Sequence, residues 1–296
     1  MLNFKNCDYE YIISDLIHDT FYIESSHRGK IQKIRQYSEV LVRKIIDKDS
    51  NSKLTLGDQE TQRELKKKNI NLFNTVEKIR VIGNEATHTR YIKNFTDEEL
   101  DKTIDALFDL YAFLFIDYFH SFPIGKDTEP EILTDFSLLP PVIRFKTLDY
   151  LYKENLKTCK IINNIYFYDK YCLAIIKYKG KEAAFEWLKK NKKILEEIIY
   201  PSYEERQALI EEVGINILNS TMITLSINGY ELLLDKIDKV GNQIIENGKL
   251  YESFEEAVEY YRLYKSDSVS KEINELHSII DFVYLGRISS KNIQIK

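Results

Sequence analysis

The chain has 296 residues, of which 44% are hydrophobic and 30% charged, with a formal net charge of −5. A core of ordinary size can form, and ten glycines and five prolines are too few for a β-sandwich, a barrel or a long disordered linker. The mild acidity excludes a global electrostatic pull toward nucleic acid or membrane, so a nucleic-acid site must be a local basic patch. The cysteines, Cys7, Cys159 and Cys172, are odd in number and widely spaced. They form neither a disulfide framework nor a metal motif, and free, buried or partly buried thiols in a reducing cytoplasm are expected. The first residues lack the basic region and apolar stretch of a signal peptide. The most apolar run, Tyr111 to Phe119, contains Asp117 and is too short to span a bilayer.

In chain order, Tyr9, Ile12, Ile13, Leu16 and Ile17 recur at helical spacing and predict a first helix over Asp8 to Asp19. Ser25 and Ser26 interrupt it, and Ser26 or His27 is placed to cap a second helix running to Asp47. That helix carries Arg35, Glu39 and Arg43 at successive steps of four, one stripe of its surface. A polar loop spans Asp47 to Gly57, and a short helix over Asp58 to Asn69 ends in Lys66-Lys67-Lys68. Leu72, Val76 and Ile79 mark the buried side of the next helix, which runs into Gly83. Thr96 with Glu99 is a capping box at the start of a long helix whose end is apolar nearly all round. Such a helix is deeply buried or covered by a partner subunit.

Four of the five prolines, Pro123, Pro130, Pro140 and Pro141, then fall close together around a weakly periodic segment. This is the expected boundary between a helical domain over 1–122 and a second over 142–296, joined by a linker over 123–141. Helices are predicted over Val142 to Asn155, Leu156 to Lys179, Lys181 to Ile199 and Lys271 to Leu285. Ser202 with Glu205 and Ser253 with Glu256 read as further capping boxes. Thr221 to Ile227 alternates and is followed by Asn228-Gly229, a minor β signal without an obvious partner strand. The fold class is therefore all-α, with a small β element admitted near 221–227. Trp187 and Tyr166, Tyr168, Tyr171 and Tyr178 are either helical core or a stacking surface, with core the simpler reading.

The stretch from Glu77 to Arg90, EKIRVIGNEATHTR, concentrates the candidate chemistry. Between Gln62 and Lys93 there are eight basic and three acidic residues, a local surplus of +5. Arginine offers a permanent, planar fork of donors to a phosphate, and histidine takes a proton near neutral pH. Arg80 and His88 are eight positions apart, two turns and a little more on an unbroken helix, and Gly83-Asn84 between them is placed to kink the backbone. Aimed at one phosphodiester, the pair points to metal-independent RNA cleavage, with His88 taking the proton of a ribose 2′-hydroxyl and Arg80 stabilising the transition state. The alternative from spacing alone is a structural histidine beside a surface ladder of ion pairs.

Two segments, KIRQYSEVLVRKIID and IRVIGNEATHTR, resemble the HEPN superfamily in its Gly-Asn-containing form, over about the first 120 residues. The resemblance implies a small helical bundle that dimerises and sets two arginine–histidine motifs at a shared cleft. By that likeness Arg80 and His88 are the catalytic pair, supported by Asn84, Glu39 and Thr87. Arg35, Arg43, Lys66, Lys67, Lys68, Arg90 and Lys93 are the expected RNA contacts. Seven residues separate the arginine and histidine, more than the spacing usually quoted for the family. No metal or other cofactor is implied. The expected partners are RNA, a second copy of the chain, and an antitoxin or phage-derived trigger protein at the C-terminal domain, as in abortive-infection and toxin systems. Inactive members of the family serve instead as dimerisation or binding modules, and that reading stands beside the nuclease.

Overall fold

Local side chains set the helix ends. Ser26 accepts a hydrogen bond from the Gly29 amide, Asp58 from Glu60 and Thr61, Asn69 from Asn71 and Leu72, and Ser270 from Ile273. Thr96 and Glu99 form the reciprocal capping box expected of them. A computed structural model describes residues 3–157, 164–201, 207, 211, 227–246 and 254–288 of the chain. After a single-turn 3-10 helix, the helices are α1 (Glu10–Phe21), α2 (His27–Ile45), α3 (Gln59–Lys68), α4 (Ile70–Thr87), α5 (Asp97–Ser121), α6 (Pro130–Phe136) and α7 (Pro141–Lys157). They continue with α8 (Ile165–Lys179), α9 (Lys181–Lys190), α10 (Lys192–Glu196), α11 (Gly229–Glu246), α12 (Phe254–Tyr264) and α13 (Lys271–Val283). The fold is all-α with one minor β element: β1 (Ile199–Tyr200) and β2 (Ile227–Asn228) pair antiparallel. Ile227 belongs to that pair, whereas the rest of the alternating stretch, Ser202, Glu205, Ser253 and Cys159 lie outside the described residues.

The chain divides into two compact units, Met1–Pro123 with Thr128–Thr147 and Tyr251–Lys296, and Ile124–Asp127 with Leu148–Leu250. In the first, α2 is central and packs on α1, α4 and α5, while α3 lies on α4. Ile31, Ile34, Leu41, Leu72, Val76, Ile79, Leu107 and Leu110 are buried there. The Tyr111 hydroxyl donates to that of Tyr37 at 2.9 Å, which joins α5 to α2 in the core.

One expectation about this unit is corrected, and one of two alternatives is selected. The division into 1–122 and 142–296 fails because α13 packs on α5 and α6. From Thr128 onward the segment between the prolines belongs to this unit and contains α6. Asp135 of α6 has no exposed surface; it accepts from the Ser266 amide at 3.1 Å and hydroxyl at 2.5 Å and lies 2.6 Å from His277 Nε2 of α13. The apolar end of α5 is covered by its own chain: Phe115 and Phe119 pack edge-on against Phe136 of α6, and the Tyr118 hydroxyl donates to the Glu272 carbonyl of α13. No second subunit is needed to account for that apolar face.

In the second unit α8, α9 and α11 pack together. Tyr168, Tyr171 and Trp187 are buried beside Tyr152, the core reading of the aromatic residues, whereas Tyr178 is exposed. Cys172 is buried, and burial pushes its thiol up to about 12; Cys7 is exposed, contrary to expectation. Among the described residues no helix is long and apolar enough to cross a membrane.

Candidate functional site

The candidate site is built on α2 and α4, which cross closely because Gly83 has no side chain. A methyl group there would lie 2.8 Å from Cβ and 2.9 Å from Cγ of Arg35, and nearer still to Cδ. The expected kink at Gly83-Asn84 is absent; α4 continues to Thr87. The glycine is required by the close approach of a neighbouring helix. Thr87 is occupied within α4, its hydroxyl donating to the Gly83 carbonyl at 2.7 Å. His88 is the first residue past the helix, with extended backbone (φ −91°, ψ 128°) and its amide bonded to the Asn84 carbonyl.

An unbroken α4 keeps Arg80 and His88 about 12 Å apart along its axis. Arg80 is also turned away from His88. Its Nε donates to Glu77 Oε1 and an Nη to Glu77 Oε2, both at 2.7 Å, a bidentate pair one turn toward the start of the helix. This hydrogen bonding raises the arginine's pKa further above its ordinary value. Glu77 is braced in turn by Gln62 of α3, which donates to Oε1 at 2.8 Å.

Arg35 and Glu39 lie beside this pair. The Glu39 carboxylate accepts from the Leu56 amide at 3.4 Å, and Gly57 faces the Arg80 side chain. Burial pushes the Glu39 carboxyl above the usual carboxylate range, against the pull of Arg35. Arg35 approaches Glu39 only to 3.7 Å, outside hydrogen-bond distance, and its Nε is buried without a partner. Two arginine–glutamate pairs thus lie on neighbouring helices, linked through Gly83 and the 53–57 loop.

His88 belongs to a different neighbourhood. It is exposed, and its ring has no hydrogen-bond partner among the described residues. The loop that carries it is held by Arg28 of α2. This guanidinium donates to the Ala86 carbonyl at 2.8 Å and the Tyr91 carbonyl at 2.7 Å, with longer bonds to Glu85 and Lys93, and it lies over the Phe95 ring. Gln32, one turn along, donates to Ala86 at 2.6 Å. Arg28 and Gln32 therefore satisfy the open carbonyl end of α4. Sequence reasoning missed both. Their i, i+4 spacing was legible, but nothing in the sequence says which helix end they meet.

Most of the expected RNA contacts are engaged within the chain. Arg43 is turned inward to the 47–57 loop and donates to the Asp49 and Ser52 carbonyls at 2.7 Å. Lys68 pairs with Asp117 at 2.8 Å, and Lys93 pairs with both Glu85 and Glu99. Lys66 lies over the Phe73 ring, and Arg90 donates to the Tyr91 hydroxyl. Lys67 is exposed on α3. Among the described residues no three His, Cys, Asp or Glu side chains come together as a metal-ligand set. No family model, curated protein or solved structure matches the chain.

Proposed function

We propose that this chain is a HEPN-type endoribonuclease that cleaves RNA without a metal ion and acts as a homodimer in an antiphage system of the abortive-infection or toxin kind. One observation carries the reading: His88 offers an exposed, unpartnered imidazole on a loop that Arg28 holds in place. Such a group meets the geometric need of a general base, free in itself and fixed by its surroundings. In the proposed reaction His88 takes the proton of a ribose 2′-hydroxyl as that oxygen attacks the adjacent phosphorus. The bond from phosphorus to the 5′-oxygen breaks, and the leaving oxygen takes a proton from solvent or from the second copy's imidazolium. The products are a 2′,3′-cyclic phosphate and a free 5′-hydroxyl. Arg80 stabilises the charge on the phosphorane-like transition state. The separation of Arg80 from His88 along α4 favours a site closed between two copies. The second unit is the natural seat of restraint for a nuclease harmful to its own cell.

A second reading has its own support. The bidentate Glu77–Arg80 pair occupies the fork that would meet the phosphate, as expected of a silent binding or dimerisation module. Incubation of purified protein with cellular RNA in excess chelator separates the two. The nuclease predicts cleavage that falls at least a hundredfold in His88→Ala. Intact RNA with the wild type, in a preparation that still binds RNA, selects the binding module.

A further inference from the structure

The Glu77 carboxylate meets Arg80 as a phosphate would: two oxygens on the fork, at 2.7 Å each. Gln62 holds that carboxylate from the other side, so its position is built and not a chance rotamer. The arginine side chain is 27% exposed and the glutamate 24%, so solvent and a ligand can both reach the pair. Beside it Arg35, 21% exposed, has a guanidinium without a hydrogen bond among the described residues and a buried Nε without a partner. Arg35 lies against α4 at Gly83, one turn from Arg80.

We infer that Glu77 is a built-in competitor for RNA phosphate: it fills the fork of Arg80 in the resting chain and is displaced when a phosphodiester settles between Arg80 and Arg35. This rests on the proposed action on RNA and adds its regulation. The exchange is balanced in charge, since one monoanion leaves the fork as another enters. Glu77 keeps the hydrogen bond from Gln62 after it moves aside, so release does not strand a buried carboxylate. Arg35 is the arginine ready for a first contact, and Arg80 follows once Glu77 yields. A chain with Glu77 in place therefore binds RNA weakly and cleaves slowly. A partner that draws Glu77 away raises both.

The test uses the full chain and a fluorescent single-stranded RNA methylated at every 2′-oxygen. This probe cannot be cleaved, so binding is read apart from catalysis. Glu77→Gln keeps the shape and the Gln62 contact but loses the charge. It is expected to bind about tenfold tighter than wild type by fluorescence anisotropy. Glu64→Gln removes an equal charge from α3 and is expected to change affinity less than twofold. In an Arg80→Ala background the gain from Glu77→Gln is expected to shrink below twofold. If wild type binds through Arg80 but Glu77→Gln binds no tighter, or if the gain survives Arg80→Ala, the competitor role is overturned and the RNA reading stands. If neither wild type nor Glu77→Gln binds the probe, both are overturned. Binding by Glu77→Gln alone supports both.

Discussion

Lys44 of α2 is 2% exposed, and its ammonium lies between the rings of Phe4 and Phe282, 4.9 and 4.6 Å from their centres, while donating to Asn6 Oδ1 at 2.8 Å. Burial pushes its pKa down to about 8, against the pull of Asp47. The folded chain therefore holds this proton less tightly than the unfolded chain does. The cost of the buried charge is fully present below pH 8 and disappears as pH rises toward the ordinary lysine value. Attraction to the two rings offsets part of it, which leaves about 1–3 kcal/mol. Urea unfolding of wild type is expected to show stability rising by that amount, relative to Lys44→Met, between pH 7.5 and 9.5. The half-buried Tyr22, pushed up to about 12, acts in the opposite sense above pH 10, so the comparison ends below that. Parallel curves for the two proteins would mean that Lys44 titrates as an exposed lysine. Arg28 supports a second prediction at this scale. Its two short bonds, to Ala86 and Tyr91, are between a charge and carbonyls, so Arg28→Ala should lose about 2 kcal/mol. Hydrogen exchange should quicken over 88–95 while the middle of α4 keeps its protection. Uniform loss across α4 would show that the arginine holds the whole helix and not its end.

The crossing of α2 and α4 is where reading the sequence succeeded for the elements and failed for their purpose. Ser26, Asp58 and Thr96 placed the starts of α2, α3 and α5 to within a residue, because caps and periodicity are local signals, whereas α4 runs four residues past its expected end at Gly83. Gly83 was visible as a departure from good helix formers, but the sequence does not say whether a helical glycine marks a bend or a neighbour. Only the other helix decides that. The same limit applies to the candidate site. Arg80 and His88 stood out by residue type, and Glu77 was legible as an i, i+3 partner. That Arg28 holds the His88 loop depends on contacts about sixty residues apart, and that Arg43 turns back onto its own following loop depends on how that loop closes. Gly83→Ala tests the packing account. Alanine is the better helix former by roughly 1 kcal/mol, so a bend-free exposed site would be stabilised. Here the new methyl meets Arg35, and a net loss of about 1–3 kcal/mol is expected from overpacking. Arg35→Ala removes Cγ and Cδ from the clash, so the double variant should recover part of that loss. A Gly83→Ala protein more stable than wild type would sink this account of the glycine.

At the scale of the whole chain, the departure from the expected domains has a mechanical consequence. A bundle ending at residue 122 would expose the end of α5, where Phe115, Phe119 and Tyr118 are now covered by α6 and α13. Each such aromatic side chain contributes roughly 1.5–3 kcal/mol when buried, and a bundle of this size is stable by only about 5–15 kcal/mol in total. Arg287 adds to the dependence. It is buried between Phe21 of α1 and Phe254 of α12, 4.1 and 4.2 Å from their centres, and it lies 3.6 Å from Glu255. Arg287, which follows α13, thus reaches the first helix. The periodicity of α13 was legible, but its docking site was not, because an amphipathic face specifies that it is covered and not by what. A fragment of residues 1–123 is therefore expected to lack a cooperative thermal transition and to bind a hydrophobic dye. A fragment of residues 1–250 should behave in the same way in its first unit until it is co-expressed with residues 251–296. The two pieces should then co-purify and restore the near-ultraviolet circular dichroism of the intact chain. Asp135→Ala in the longer piece should weaken that association, since it leaves the buried His277 and the half-buried Ser266 without their shared hydrogen-bond acceptor, at a cost of about 1–3 kcal/mol. A cooperative, dye-free fragment 1–123 would restore the independent N-terminal domain and make the C-terminal helices an accessory.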